Sequence, residues 1–339
     1  MAGLIKYLKN PLTGNRIFPV TKTRAIYNND GSRLDKYLEG LSGSPSSNIL
    51  INSNFANPIN QRGEAVKSTE GYWIDRWLLG TQGNTIGTVS NDCINISVSN
   101  PVRGSFFTQD IEFPEKYTGK NMAISMRYRA TGNSNDTKKC HLFVQVKGED
   151  TSATSLTRSI GNLIMDGEWH ILSGSVVLPA ETLTRVRVGV GISYNMSSDI
   201  FSSITENLIT SDASIDIEWI KAELGEIATP YAPRLYAEEL QLCLRYYRKH
   251  SLSPSTVVSL DTNSIVFYAP IHNLMRVTPS VLDLGNVTLK SNGNTVSASI
   301  AYEATASLFF TKTTITSAHG LTYASYPTLE GYVILDAEL

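Results

Sequence analysis

Residues 215–250, IDIEWIKAELGEIATPYAPRLYAEELQLCLRYYRKH, contain a change of periodicity around which the rest of the chain is organised. In the first part apolar and charged residues alternate, which is the pattern of a half-buried strand. Gly225, Pro230 and Pro233 then interrupt the strand. After them, apolar residues recur at helical spacing, with glutamates in the first turn and basic residues in the last. The stretch therefore predicts the end of a β-domain and a helical connector over residues 233–250.

Short strand-like runs on both sides of this connector predict a mainly β protein. Between residues 48 and 232, after a small polar linker, runs such as NMAISMRYRAT and CHLFVQVKG have the number and spacing of a two-sheet sandwich of jelly-roll type. In TRVRVGVGIS one face is apolar, whereas the other contains Gly189 and Gly191 and predicts a shallow groove. Residues 251–339 repeat the strand pattern and predict a second β-domain.

Residues 1–47 do not have the pattern of a globular domain. A capping-box pattern, S-R-L-D, precedes an apolar stripe formed by Leu34, Leu38 and Leu41. A helix this short is not stable alone, so its stripe must be buried. Two burial sites stay open, namely the sandwich of the same chain and the same helix of symmetry-related copies.

Composition excludes several classes of partner. The chain has 339 residues and a formal net charge of −2 at pH 7, so no broad attraction to nucleic acid or to an acidic membrane is expected. The start, MAGLIKYLKNPLTG, has no secretion signal, and no run is long enough to span a bilayer. Cys93, Cys140 and Cys243 lie far apart, which predicts buried reduced thiols. We expect synthesis in the cytoplasm, no nucleic-acid partner and no membrane insertion.

Four segments carry a resemblance to a known family. They are W-I-K-A-E-L-G-E-I-A-T-P-Y-A-P-R with E-E-L-x-L-C-x-R-Y-Y at 219–247, N-I-L-I-N-S-N-F at 48–55 with Y-W-I-D-R-W at 72–77, F-Y-A-P-I-H-N-L-M-R-V-T-P-S-V at 267–281, and I-L-D-A-E-L at 334–339. In this order they resemble tail-fibre and receptor-binding proteins of tailed bacteriophages and their prophage-encoded relatives.

The resemblance implies an architecture and a set of partners. It implies a carbohydrate-binding-module-like β-sandwich at 48–232, a helical connector at 233–250 and a C-terminal β-domain at 251–339. It also implies a homotrimer in the virion tail that is made in the host cytoplasm, attaches to other tail or baseplate proteins through residues 1–47 and binds a host surface glycan. The candidate oligomerisation residues are Leu34, Leu38, Leu41, Tyr236, Leu240 and Leu244, with packing inside one chain as the alternative for both helices.

No catalytic motif is present in the sequence. It has no G-x-S-x-G, no H-E-x-x-H and no phosphate-binding glycine loop, and His141 and His170 lie within strand patterns where a structural role is expected. We therefore expect a protein that is not an enzyme and that binds its receptor non-covalently. The alternatives are a structural spacer or baseplate-docking protein and a glycan-degrading tail enzyme, although no repeating period typical of a parallel β-helix is present.

Sugar binding needs aromatic rings that stack on pyranose faces and polar groups that bond to hydroxyls. The candidate carbohydrate-binding residues are Arg127 and Tyr128, with Arg129 beside them, Tyr194 and Asn195 after the glycine-rich strand, and Tyr323 and Tyr326 near the end. Each tyrosine has core or rim packing as its alternative role. Trp73, Trp77, Trp169 and Trp219 are assigned to the core, because large apolar rings usually anchor packing.

No cofactor is expected. Modules of similar fold often hold a structural calcium ion, and Asn54 and Asp216 are placed where such ligands come from. Two oxygen ligands fall short of the six to eight that Ca²⁺ usually takes, so the sequence does not support the site.

Overall fold

The structure, a computed structural model, describes residues 8–9, 16–17, 48–81, 84–90, 92–99, 104–149, 156–192, 209–296 and 301–338. The chain divides into two compact units, Met1–Ser46 and Ser47–Leu339. In the first unit, strands β1 (Leu8–Lys9) and β2 (Arg16–Ile17) pair antiparallel. The predicted helix with Leu34, Leu38 and Leu41 lies outside the described residues.

The second unit begins with a sandwich of two six-stranded antiparallel sheets. Its strands are β3 (Val66–Lys67), β4 (Gly71–Tyr72), β5 (Leu78–Gly80), β6 (Asn84–Val89), β7 (Ile94–Ser99), β8 (Ser105–Asp110), β9 (Asn121–Thr131), β10 (Cys140–Gly148), β11 (Leu156–Asn162), β12 (Asp166–Val177), β13 (Leu183–Ile192) and β14 (Ala213–Leu224). The first sheet has the order β11-β10-β13-β8-β5-β4 and the second sheet has the order β12-β9-β14-β7-β6-β3. Two 3-10 turns, Pro114–Tyr117 and Ser134–Lys139, join strands of the sandwich.

Alternate residues of both sheets form the core of the sandwich, as the period of a strand requires. Trp77 stacks on Phe107 with ring centroids 4.8 Å apart, and Phe55 meets Trp77 edge-on at 5.0 Å. The groove predicted at Gly189 and Gly191 is not open, because both glycines are buried. A Cβ atom at Gly189 would collide with the backbone of β8, so that glycine serves close strand packing.

The remainder of the second unit contains one helix and two four-stranded antiparallel sheets. Its elements are α1 (Tyr236–Cys243), β15 (Tyr247–Ser251), β16 (Thr256–Leu260), β17 (Ile265–Pro270), β18 (Ser280–Ser291), β19 (Asn294–Thr295), β20 (Tyr302–Ala306), β21 (Phe310–Ile315), a 3-10 turn (Tyr323–Ser325) and β22 (Pro327–Asp336). The third sheet has the order β15-β22-β18-β19 and the fourth has the order β16-β17-β21-β20. These strands enclose a separate hydrophobic core that includes Phe267, Leu289 and Val333.

The predicted fold class is confirmed: the protein is mainly β, with a sandwich and further β-sheets joined by a short helix. The helical connector predicted over 233–250 is too long, because α1 ends at Cys243 and residues 247–251 form β15. Pairing of β15 with β22 supplies backbone hydrogen bonds that override the helical charge pattern of this short segment. None of the described helices is long and apolar enough to cross a membrane.

The chain that follows β14, which belongs to the motif at 219–247, turns back over the outer side of the second sheet. In this return segment, residues 225–231, the Thr229 amide donates to Glu223 Oε1 at 2.6 Å and its hydroxyl donates to Glu223 Oε2 at 2.7 Å. Lys221 Nζ lies 3.0 Å from Glu223 Oε1 and donates to the Thr229 carbonyl at 3.2 Å. Trp219 stacks on Tyr231 with ring centroids 4.6 Å apart. The signature residues of this motif therefore have a structural role.

The other motif segments meet at the contact between the sandwich and the third sheet, which we call the junction. Arg76 forms a buried ion pair with Glu338 at 2.6 Å, and Arg62 pairs with Asp336 at 3.3 Å. The Trp77 indole N–H donates to the Asn52 carbonyl at 2.8 Å. Charged and polar side chains therefore hold the C-terminal residues Asp336 and Glu338 to the N-terminal part of the sandwich.

Candidate functional site

A row of four side chains crosses the outer surface of the second sheet. Trp169 on β12 is in register with Arg129 on β9, Arg129 is in register with Asp216 on β14, and Asp216 is in register with Asn95 on β7. Because side chains of paired residues project on the same side of a sheet, the four groups form a line. Three strand spacings give this line a length of about 14 Å.

Hydrogen bonds and ion pairs hold the row in place. Arg129 donates to Asp216 Oδ2 from Nε at 2.9 Å and from Nη2 at 2.5 Å. Asn95 Nδ2 donates to Asp216 Oδ1 at 2.6 Å. Beside the row, Arg127 is paired with Glu218. Such charge-assisted bonds fix the direction in which the remaining donor and acceptor positions point.

The indole of Trp169 lies beside both arginines on this surface. The guanidinium carbons of Arg127 and Arg129 are 4.7 Å and 5.1 Å from the centroid of its ring. Trp169 is half-buried, and Ile171, two residues along the same strand, is 65% exposed. We call the surface formed by Trp169, Arg127, Arg129, Asp216 and Glu218 the Trp169 face.

The Trp169 face combines chemistry suited to a polyhydroxylated ligand. An indole offers an apolar ring edge or face for C–H groups, the guanidiniums offer N–H donors and the carboxylates offer acceptors. Two arginines balance two carboxylates, so the surface has no net charge that would favour an ionic ligand over a neutral one.

Only one of the predicted pair Arg127 and Tyr128 reaches this surface. Arg127 belongs to the Trp169 face, with its side chain 37% exposed. The prediction for Tyr128 is wrong, because the ring faces the core, the residue is 1% exposed, and its hydroxyl accepts from the Ile164 amide at 2.9 Å. Successive residues of a strand point to opposite faces, so both side chains cannot contact the same ligand.

The assignment of Trp169 to the core is also wrong. Trp73 and Trp77 are fully buried, whereas Trp169 shares its strand face with Ser173 and Ser175. The same phase of β12 also contains Ile171 and Val177, so the sequence pattern alone does not show which face of the strand is exposed.

Two of the remaining candidates lie away from the Trp169 face. Tyr323 is in the 3-10 turn before β22 and is 58% exposed, and Tyr326 follows that turn directly and is 74% exposed. Tyr194 and Asn195 lie outside the described residues. The role of all four residues in binding stays a prediction.

Of the oligomerisation candidates on α1, Tyr236 is 52% exposed and Leu240 packs against a small cluster with Cys243 and Tyr246. Leu244 follows the helix and is half-buried. Leu240 therefore has a partner inside its own chain, and the homotrimer stays a prediction.

Metal-ligating groups do not cluster in the part of the chain that the structure describes. No group of three or more His, Cys, Asp or Glu side chains is arranged to hold a metal ion there. Asp216, considered above as a calcium ligand, is instead bonded to Arg129 and Asn95. The three cysteines are buried, and none of them forms a disulfide bond.

Comparisons with known proteins return structural matches only. No family model and no curated protein matches the chain. A xylan-binding family 22 carbohydrate-binding module from Paenibacillus barcinonensis is 10% identical over 55% of this chain and 100% of its own, with a TM-score of 0.33. The family 22 and catalytic modules of a Clostridium thermocellum xylanase are 13% identical over 55% of this chain and 30% of theirs, with a TM-score of 0.31.

A bacteriophage protein is also among the structural matches. The enzymatically active domain of tailspike protein 4 of bacteriophage CBA120 is 16% identical over 52% of this chain and 24% of its own, with a TM-score of 0.31. TM-scores below 0.5 at these identities do not establish a function for this chain.

Proposed function

We propose that this protein is a non-catalytic glycan-binding adhesin that engages its receptor through the Trp169 face. The observation that carries the proposal is the row Trp169, Arg129, Asp216 and Asn95, which places an aromatic ring, N–H donors and carboxylate and amide oxygens on one outer sheet surface. A glycan chain lying along this row meets an apolar contact and several hydrogen-bonding groups over about 14 Å.

Binding in this proposal makes and breaks no covalent bond. The carboxylates of the Trp169 face, Asp216 and Glu218, are each paired with an arginine. Glycoside hydrolysis needs one carboxyl group that donates a proton and a second that acts on the opposite side of the sugar. Two arginine-paired carboxylates on one side of a ligand fit recognition of hydroxyl groups better than hydrolysis.

We further propose that the adhesin is the tail-fibre or receptor-binding protein of a phage or phage-like particle. Support comes from the four sequence segments described above, which resemble that family in order along the chain. Residues 1–47 would attach it to other tail proteins, and a homotrimer would present three copies of the face. Weak single sites joined in this way give strong attachment through effective concentration.

The test is binding of the purified protein to a glycan array and to host cells, with the mass in solution measured on the same sample. Trp169→Ala should weaken binding to a single immobilised glycan by about twofold to tenfold, because an aromatic contact contributes about 0.5–1.5 kcal/mol. Val177→Ala, a truncation on the same strand at a residue that is 70% exposed, is the matched control and should bind as the wild type does.

Two other outcomes would replace the proposal. A trimer that binds no surface glycan and no host cell would indicate a structural spacer or baseplate-docking protein. Release of shorter glycans from a bound polysaccharide would indicate a glycan-degrading enzyme. Equal loss of binding in both variants would indicate that the Trp169 face is not the binding surface.

A further inference from the structure

A pocket of about 210 Å³ lies beside the junction, at the end of β8 and next to the 3-10 turn Pro114–Tyr117. Its residues include Ile51, Ile111, Arg76, Glu112, Phe113 and Tyr117. It shares no residue with the Trp169 face. An apolar cavity of about 150 Å³ holds a benzene ring, so this pocket has room for one six-membered ring with substituents.

Two residues of the pocket adopt a left-handed backbone conformation that is costly for long side chains. Phe113 has φ 53° and ψ 56°, and Arg76 has φ 73°. Non-glycine residues in this region concentrate at binding sites, where surrounding contacts hold them in place. Phe113 is 50% exposed, and Lys116 Nζ lies 4.0 Å from the centroid of its ring. The strained backbone thus presents an aromatic ring at the mouth of the pocket.

Arg76 lines the pocket with a side chain that the protein itself holds in place. The residue is 3% exposed, its Nη1 is paired with Glu338 at 2.6 Å, and its Nη2 donates to the Asp110 carbonyl at 2.7 Å. The guanidinium also lies 3.6 Å from the centroid of the Tyr246 ring. Arg76 therefore contributes a fixed wall to the pocket.

Glu112 supplies a carboxylate acceptor. Its carboxylate accepts from Arg245 at 3.1 and 3.2 Å, and Arg276 Nε lies 3.6 Å from its Oε1. These partners leave further lone pairs, and the Glu112 side chain is 17% exposed. Ile51 and Ile111 provide apolar surface, and each is 7% exposed. The pocket therefore combines an aromatic side chain, apolar residues and a carboxylate acceptor.

We propose that this pocket binds a single pyranose ring, either free or as the terminal unit of a glycan. The C–H groups of the ring pack on Phe113 and the isoleucines, and one hydroxyl donates to Glu112. Charged ligands fit less well, because the charged groups at the pocket already pair within the protein. The site is independent of the Trp169 face.

The test measures binding of the methyl glycosides of glucose, galactose, mannose and N-acetylglucosamine to the full chain by ligand-observed NMR and calorimetry. We expect at least one of them to bind in the millimolar range. Phe113→Ala should weaken it by about threefold to tenfold by removing the aromatic contact. Phe309→Ala is the matched control, because it truncates the same residue type at a site that is 66% exposed and outside the pocket.

Glu112→Gln gives a second test that keeps the side-chain shape, and unfolding curves of each variant verify that it is folded. Weaker binding in Phe113→Ala and Glu112→Gln, with Phe309→Ala unchanged, supports the pocket. Comparison with an oligosaccharide ending in the same sugar distinguishes a free sugar from a terminal unit. Absence of binding by all four glycosides, or binding that only Trp169→Ala weakens, overturns the proposal while leaving the Trp169 face to be judged on its own test.

Discussion

Asp75 shows how one buried side chain links the protein's stability to pH. The residue is fully buried, and its carboxylate accepts from the Gln61 amide at 3.2 Å and from Gln61 Nε2 at 2.6 Å. Burial is the largest effect and raises the pKa of Asp75 to about 7, against the opposing hydrogen bonds from Gln61. Between pH 4 and pH 7 the unfolded chain therefore releases this proton while the folded chain keeps it.

From this direction of the shift we predict the effect of Asp75→Asn. The stability contributed by Asp75 is present below its unfolded pKa of 3.8 and is lost as pH rises towards 7. The variant should therefore gain stability over the wild type as pH rises, by on the order of 3 kcal/mol at pH 8. Thermal unfolding at several pH values measures this, since about 1 kcal/mol corresponds to 2–4 °C in a domain of this size.

A suitable control is Asp92→Asn, at an exposed residue, which should leave the pH dependence unchanged. The pKa of His250 is lowered to about 4, chiefly by burial, and stability from this group falls as pH drops below the normal histidine value. The contribution of His250 is the same in Asp75→Asn and in the wild type, so it cancels in the difference between their stabilities. A difference that does not change with pH would contradict the prediction.

At the scale of elements, the return segment over β14 depends on one hydroxyl group. The Lys221 and Glu223 side chains are 2% and 1% exposed and both bond to Thr229. Buried charges cost free energy unless all their hydrogen bonds are made. The segment therefore covers an ion pair that the strand alone would leave incompletely bonded.

We predict that Thr229→Val destabilises the protein by about 2–3 kcal/mol, because it leaves Glu223 without its hydroxyl donor at nearly the same side-chain volume. Thr229→Ser keeps the hydroxyl donor to Glu223, so it should lower the free energy of unfolding by less than about 1 kcal/mol. Urea unfolding with both variants separates the lost hydrogen bond from the lost methyl group. Equal midpoints for the two variants would show that the hydroxyl makes no net contribution.

Elements also show where sequence patterns succeed and fail. Alternation predicted the buried residues of β13, and those of β14 as far as Ile217, because a strand's period of two is local. After Ile217 the register of β14 shifts, and Lys221 and Glu223 are buried under the return segment. The same period in β9 separates Arg127 from Tyr128, and charge patterning placed the end of α1 too late. Residues 247–251 become a strand only because β22, more than eighty residues further on, lies beside them.

At the scale of the whole molecule, buried ion pairs at the junction connect the sandwich to the third sheet. Arg76 is held by Glu338 through its side chain and through its own backbone N–H, which donates to Glu338 Oε1 at 2.9 Å. Arg76 also lies 3.6 Å from the centroid of the Tyr246 ring. Removing one partner would leave the other charge buried and unpaired.

We predict that Glu338→Ala lowers the free energy of unfolding by about 3–5 kcal/mol, the usual cost of leaving one buried charge unpaired. The double change Arg76→Met with Glu338→Met should recover much of this loss, because apolar side chains replace both charges. Glu330→Ala is the control: its partner Lys290 is 3.5 Å away, its side chain is 54% exposed, and such surface pairs contribute about 0–1 kcal/mol. A Glu338→Ala variant as stable as Glu330→Ala would refute the role of the junction.

The sequence by itself determined the mainly β class, the main strands and the places where the chain changes period, since all three follow from local alternation, turn residues and helical spacing. It also marked the segments around residues 48–55, 72–77 and 334–338 that carry the junction. Only the tertiary structure decided which face of β12 is outside, which brings Trp169 beside Arg127 and Arg129. The reason is physical: a strand's own residues set its two faces, but the sheet that packs against it decides which face is buried.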